Sequence, residues 1–162
     1  MAKKTKAPVT PAVRALRAAG IEHSVHLYRY EAGSGALGGA VALGLDPHAV
    51  VKTLIMEDDT GSPIVVLMHG DRQVSTKQLA RHLGARSVAP CTPERAERHT
   101  GYRVGGTSPF GLRTEMPVMM ERSILDNDRI YLNGGKRGFL VGVSPSDVAA
   151  ALGATLVDTA VG

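Results

Sequence analysis

Hydrophobic and polar positions alternate along several short stretches of the chain, and recur at helical spacing in others. Thr10-Pro11 is a helix start, with Thr10 as cap and Pro11 in the first turn; Val13 and Leu16 give one apolar side, and Gly20 stops it. His23–Tyr30 alternates as a strand, with Val25 and Leu27 on one face and His26 and Tyr28 on the other. Residues 31–39 are small and glycine-rich and read as a loop, followed by a short helix over 40–44. Val50–Glu57 is a strand whose faces are Val50, Lys52, Leu54, Met56 and Val51, Thr53, Ile55. Asp58-Asp59-Thr60-Gly61 turns it into a hairpin partner, Ile64–Met68. Ser75 caps a helix through Leu83; a short strand spans 86–89, and a helix from Thr92 reaches Thr100. Pro117–Met120, Ile130–Leu132 and Phe139–Val143 are strands, with a polar turn at 126–128. Ser144 caps the last helix through Leu152, and residues 154–157 add a terminal strand.

Hairpin pairs separated by single helices predict a mixed α/β (α+β) fold. Its sheet is mixed and largely antiparallel, closing toward a barrel, with helices against it. The 162 residues make one domain over 10–162 behind a flexible basic arm at 1–9 that holds Lys3, Lys4 and Lys6.

Composition narrows the function only a little. The net charge of +4 favours an anionic partner, while aromatics at 4% and the absence of Trp argue against stacking platforms for single strands. One cysteine, Cys91, excludes an internal disulfide framework and a Cys-based zinc site; it reads as a small packing residue. No apolar run approaches the length of a membrane span, and the basic start lacks the apolar segment of a secretory signal, so a cytoplasmic protein is expected.

Two glycine-rich loops frame the stretch from Tyr102 to Gly138, and together they read as closing one hairpin-like unit. The first is Tyr102–Gly111 and the second Tyr131–Gly138, with cations at Lys136 and Arg137. Each is either a turn that needs glycine for its geometry or a cradle of backbone N–H groups for an anion; the pair points to a binding pocket. Lys52 stands among apolar neighbours on its strand face. It either reaches water as an edge-strand gatekeeper or lines a wet cavity. Tyr28 is a core-edge aromatic or a pocket wall. Ser108 precedes Pro109, has no evident base, and reads as a turn hydroxyl rather than a nucleophile. The six histidines form no recognisable metal set: His23 and His26 face apart, while His48, His69, His82 and His99 read as surface residues. No metal and no cofactor is called for.

Six segments occur in an order that resembles a known family. They are Thr10–Val13, His26–Tyr28, Val50–Leu54 (Val-Val-Lys-Thr-Leu), Leu83–Arg86, Thr100–Gly111 (Thr-Gly-Tyr-Arg-Val-Gly-Gly-Thr-Ser-Pro-Phe-Gly) and Gly134–Gly138 (Gly-Gly-Lys-Arg-Gly). The chain resembles the YbaK/EbsC family of free-standing aminoacyl-tRNA deacylases, kin to the editing domain of bacterial prolyl-tRNA synthetases. The resemblance implies a barrel-like mixed sheet and trans-editing of mischarged tRNA, best known as removal of cysteine from tRNA for proline in concert with prolyl-tRNA synthetase. It places the family's invariant lysine on Lys52, its loop glycine on Gly105 and its pocket tyrosine on Tyr28. Gly106, Thr107 and Ser108 from the first loop, and Asn133, Gly134, Gly135, Lys136 and Arg137 from the second, then contact substrate. The resemblance implies substrate-assisted release, in which the ester is already activated and the cysteine's own thiol, or else water, attacks its carbonyl. The protein then supplies positioning and oxyanion stabilisation more than a nucleophile. Asn133 stands where many members have Ser, and Leu140 where they have Asp, which leaves the cargo open among cysteine, alanine or another small residue. A non-catalytic tRNA- or nucleotide-binding module is the alternative, and the oligomeric state, monomer or weak dimer, is left open.

Overall fold

The computed structural model describes residues 7–162, so Lys3, Lys4 and Lys6 lie outside the described residues. Five α-helices and ten strands follow in the order α1 (Pro11–Ala18), β1 (Ser24–Leu27), α2 (Gly35–Leu43), β2 (Val51–Asp58), β3 (Pro63–His69), β4 (Gln73–Val74), α3 (Thr76–Leu83), β5 (Val88–Pro90), α4 (Pro93–Thr100), β6 (Val118–Glu121), β7 (Ile130–Asn133), β8 (Phe139–Val143), α5 (Pro145–Leu152), β9 (Thr155–Val157) and β10 (Ala160–Val161). A 3-10 turn over Arg122–Asp126 follows β6.

Local signals account for most boundaries. Thr10 Oγ1 accepts from Val13 N at 3.1 Å, which caps α1, and Ser75 and Thr92 do the same for α3 and α4. Ser144 makes no such cap; its hydroxyl meets that of Ser146 instead. The hairpin of β2 and β3 runs in unbroken register from Val51 opposite His69 to Glu57 opposite Pro63, and β7 and β8 pair from Ile130–Val143 to Asn133–Leu140.

The sheets do not close into a barrel. A five-stranded sheet has the order β5-β2-β3-β6-β9, a three-stranded sheet the order β1-β8-β7, and β10 pairs with β4. The two larger sheets meet at one parallel bridge, Val50 with Tyr131, where Tyr131 N donates to Ala49 O at 3.0 Å. Past it the strands diverge. The main core fills the space between these sheets and α1 and α5, with Leu16, Leu67, Met120, Ile130 and Phe139 fully buried; Leu79 of α3 and Val66 anchor a second cluster on the other face of the larger sheet.

Three expectations change, and β1 shows which of its two faces is the inner one. The stretch 102–138 is not one hairpin-like unit, because β6 runs parallel between β3 and β9 while β7 belongs to the other sheet. Helix α2 begins at Gly35, so most of the glycine-rich segment is helical; Gly39 packs so closely that a Cβ there would lie 3.2 Å from Tyr28 and Leu140. In β1 the apolar face is the outer one, with Val25 and Leu27 39% and 37% exposed, while His26 sits edge-on to Tyr131. His69 is fully buried rather than a surface residue.

Candidate functional site

Where β2 and β7 part, a cleft of about 670 Å³ opens, lined by Lys52, Tyr28, Gly105, Thr107, Asn133 and Leu140 among others. Strand alternation sends Lys52 and Leu54 to one side of β2 and Thr53 and Ile55 to the other, so the cleft wraps the strand's free edge. Burial holds the Lys52 ammonium below its ordinary value, with the Asp71 carboxylate pulling the other way. No carboxylate among the described residues lies within ion-pair distance of Lys52, so its charge is available to an anion. Burial, and then Tyr30, raise the Tyr28 phenol, which therefore stays protonated.

The first glycine loop is held from several sides. Tyr102 OH donates to Phe110 O at 2.5 Å, and burial pushes this phenol up to about 12. Val104 N donates to Glu97 Oε2 at 2.8 Å, and Arg137 Nε to Val104 O at 2.8 Å. Gly105 has φ +90°, and a Cβ there would lie 2.6 Å from Tyr30 Oη; at Gly106 it would lie 2.8 Å from Arg137 N. The two loops touch backbone to side chain, and only glycine fits between them.

Asn133 shapes the second loop. Its Oδ1 accepts from Gly135 N at 2.7 Å and Lys136 N at 3.1 Å, and its Nδ2 donates to Gly105 O at 3.2 Å. Thr10 Oγ1 donates to Gly134 O at 2.5 Å, so the cap of α1 also pins this loop. The Arg137 guanidinium lies 5.1 Å above the Tyr30 ring.

The expected site residues thus divide. Lys52, Gly105, Tyr28, Thr107 and Asn133 meet in one cleft. Gly106, Gly134, Gly135 and Arg137 lie behind it as loop scaffolding, Lys136 is exposed, and Ser108 is fully buried with its Oγ accepting from Phe110 N at 3.1 Å. Sequence reasoning did not place Tyr30, Thr53, Cys91 or the Gln73–Val74 wall in the cleft. The Tyr28/Tyr30 alternation was a usable signal for the first; the others depend on where β2 loses its neighbour. Cys91 carries a thiol that burial, and then Glu57, push up, so it is no thiolate.

Behind the cleft, His48 stacks on His69 with ring centroids 3.7 Å apart and planes 10° from parallel, and His48 Nδ1 lies 3.0 Å from Asp71 Oδ1. His69 Nδ1 donates to His48 O at 2.6 Å and its Nε2 meets Ser123 Oγ at 2.8 Å. The three side chains are close enough to suggest a metal group. Stacked parallel rings, however, send their in-plane lone pairs in parallel rather than to a common point, and both His69 nitrogens are occupied. Glu121, 3% exposed, accepts from Thr159 N at 2.6 Å and Ala160 N at 2.8 Å. That bond fixes β10 against β4 and so holds the Gln73–Val74 wall.

An open cleft between two sheets, with glycine loops at its rim and a Lys52 ammonium that has no ion-pair partner among the described residues, is suited to an anionic group. Residues 35–151 match the family model described as an aminoacyl-tRNA editing domain, and the chain belongs to that family. It is 28% identical over 153 residues, 91% of each chain, to a protein of Enterococcus faecalis named "Putative Cys-tRNA(Pro)/Cys-tRNA(Cys) deacylase EbsC". It is 33% identical over 105 residues to a proline–tRNA ligase of Nitratidesulfovibrio vulgaris, covering 65% of this chain and 17% of the ligase. The fold matches a solved structure described as "a putative trans-editing enzyme for prolyl tRNA synthetase" with a TM-score of 0.80, 24% identity, and coverage of 96% of this chain and 100% of that one. The architecture is the YbaK-like fold. Among the described residues, no helix is long and apolar enough to cross a membrane.

Proposed function

We propose that this protein is a trans-editing deacylase that removes a wrong amino acid from mischarged tRNA, with cysteine on tRNA for proline as its substrate. The observation that carries this reading is the placement of Lys52, Tyr28 and Gly105 around one cleft in a chain of the editing-domain family. Lys52 grips the terminal phosphate or the ester carbonyl, and the Gly105 loop positions the ribose end. Positioning of this kind suffices for an activated ester. Leu140, 5% exposed on the cleft wall, makes that wall apolar and favours a small uncharged side chain, so alanine is the second cargo to test. Prolyl-tRNA synthetase is the partner that would present the charged tRNA, in the cytoplasm, with the domain over 10–162 acting as one unit.

The test is a panel of mischarged tRNAs incubated with the protein, with and without prolyl-tRNA synthetase. Release of cysteine from tRNA for proline supports the reading. Release of alanine alone moves the specificity. Tight binding of tRNA with no release from any member points to a non-catalytic module and overturns it.

A further inference from the structure

The free edge of β2 carries its own recognition chemistry. In an antiparallel ladder successive residues turn their N–H and C=O groups to alternate neighbours. Gly70 N donates to Val50 O and Asp58 N to Ser62 O, so the even-numbered residues of β2 face β3. Cys91 N donates to Ile55 O, so the odd-numbered residues face the opposite edge. On that edge β7 makes its one bridge at Val50, and β5 begins its ladder at Met56 opposite Pro90. Thr53 lies between them. Its N–H and C=O both point into the cleft with no strand opposite, and its Oγ1 is buried without a hydrogen-bond partner. Backbone groups left unpaired within a fold call for a partner.

We propose that the Thr53 backbone holds the aminoacyl group itself, by pairing with it as a single residue of an antiparallel strand: Thr53 C=O accepts from the α-ammonium and Thr53 N–H donates to the ester carbonyl. An α-aminoacyl ester in extended form presents its nitrogen and carbonyl oxygen on one side, the spacing at which one residue pairs with another across a ladder. This rests on the editing function proposed above and assigns the atoms that grip the cargo. When water adds to the acyl carbon, the carbonyl electron pair moves to oxygen and is held by the Thr53 N–H. The pair returns as the bond to the ribose oxygen breaks, and that oxygen takes the proton that water gives up. Thr53 supplies a fixed donor and no covalent step. The backbone grip is independent of side-chain identity, which leaves the choice of cargo to the cleft walls.

Proline tests it. At position 53 proline removes an N–H that faces the cleft and spares every ladder bond to β3, a placement that edge strands tolerate. Thr53→Val is measured beside it so that loss of the hydroxyl is subtracted. Thr53→Pro should release amino acid roughly a hundredfold to a thousandfold slower than Thr53→Val, the effect of losing one oxyanion donor. If the proline variant fails to fold, semisynthesis with the matching α-hydroxy acid at 53 replaces the amide by an ester and removes the same N–H.

A second measurement does not depend on turnover. Titration with an adenosine whose 3′ position carries an amide-linked amino acid should shift the Thr53 and Ile55 amide resonances. Equal release by the proline and valine variants, with an unmoved Thr53 amide, overturns the inference and leaves the editing function standing. Shifted amides with no release from any tRNA sustain the site and sink the editing function. Shifts with an extended peptide but none with the aminoacyl compound overturn the inference in favour of peptide docking.

Discussion

Asn133 and Gly105 are joined by a hydrogen bond of 3.2 Å from the side-chain amide to the backbone carbonyl, and the other end of the same amide holds Gly135 and Lys136. One side chain therefore sets the spacing between two loops that lie 28 residues apart in sequence. Asn133→Asp keeps both accepting bonds, loses the donor and faces the Gly105 carbonyl with a carboxylate. It should leave the fold intact and cut turnover, because Gly105 drifts. Asn133→Ala loses all three bonds and should also destabilise the protein by about 1–3 kcal/mol, measured by urea unfolding.

Gly105→Ala is expected to be more damaging to activity than to stability. The added methyl meets the Tyr30 hydroxyl at 2.6 Å in a backbone conformation of φ +90°, so the loop must shift out of the cleft. Tyr30→Ala in the same chain removes the clash and should restore part of the lost turnover. Failure of that pairwise rescue in a double-mutant cycle would show that the strain at Gly105 alone sets the loss.

The charge on Lys52 has a pH signature. Burial lowers its ordinary value of 10.5 and Asp71 opposes that shift, so anion binding should fade as pH rises toward a midpoint below that of free lysine. Asp71→Asn removes the opposing carboxylate and should move the midpoint lower still. Binding of adenosine monophosphate followed by calorimetry from pH 7 to 10 reads it without interference from spontaneous ester hydrolysis. An unmoved midpoint would mean that Asp71 does not act on Lys52.

His69 makes stability fall in acid. Its value is lowered from 6.5 chiefly by burial, so the unfolded chain binds a proton that the folded one refuses. Its contribution is complete above pH 6.5 and is lost as pH drops toward the folded value. His26, lowered by burial and Arg129, acts in the same direction. The unfolding free energy from urea melts should decline below pH 6.5 with a slope of up to about 1.4 kcal/mol per pH unit for each group. His69→Gln should flatten that decline by one group's share.

Glu121 anchors the end of the chain. Replacing it by Leu strips two backbone N–H groups, those of Thr159 and Ala160, of their acceptor inside the protein. The expected cost is about 3 kcal/mol. Hydrogen exchange at 159–161 should accelerate more than in the β2–β3 hairpin.

Elements built from adjacent residues were legible in the chain. Thr10-Pro11, Ser75 and Thr92 announce helices through their caps, and the Asp58–Gly61 turn fixes the hairpin that carries Lys52. Those decided by distant partners were not. β6 finds β3 and β9 through parallel pairing that leaves no local mark, and Gln73–Val74 becomes a strand only because residues 160–161 lie beside it. His69 ends a strand, a position that suggests water, yet the stacked His48 ring and Ser123 enclose it. The alternation of β1 is legible, but which face turns inward is not: His26 meets Tyr131 while Val25 is exposed, because an aromatic edge and not an aliphatic layer lies beneath the strand. Of the site, the cation and the glycine loops could be read directly. The parting of β2 from β7 that turns them into a cleft is a property of two sheets and of no single stretch.

Among the described residues β4 has no strand partner other than β10, which follows every cleft-lining residue in sequence order. A ribosome that has synthesised Lys52, Gly105 and Asn133 has therefore still not produced the piece that props up Gln73 and Val74. The pocket's chemistry is all present before its last wall is, so a growing chain carries an unfinished pocket until residues 160–161 have been made.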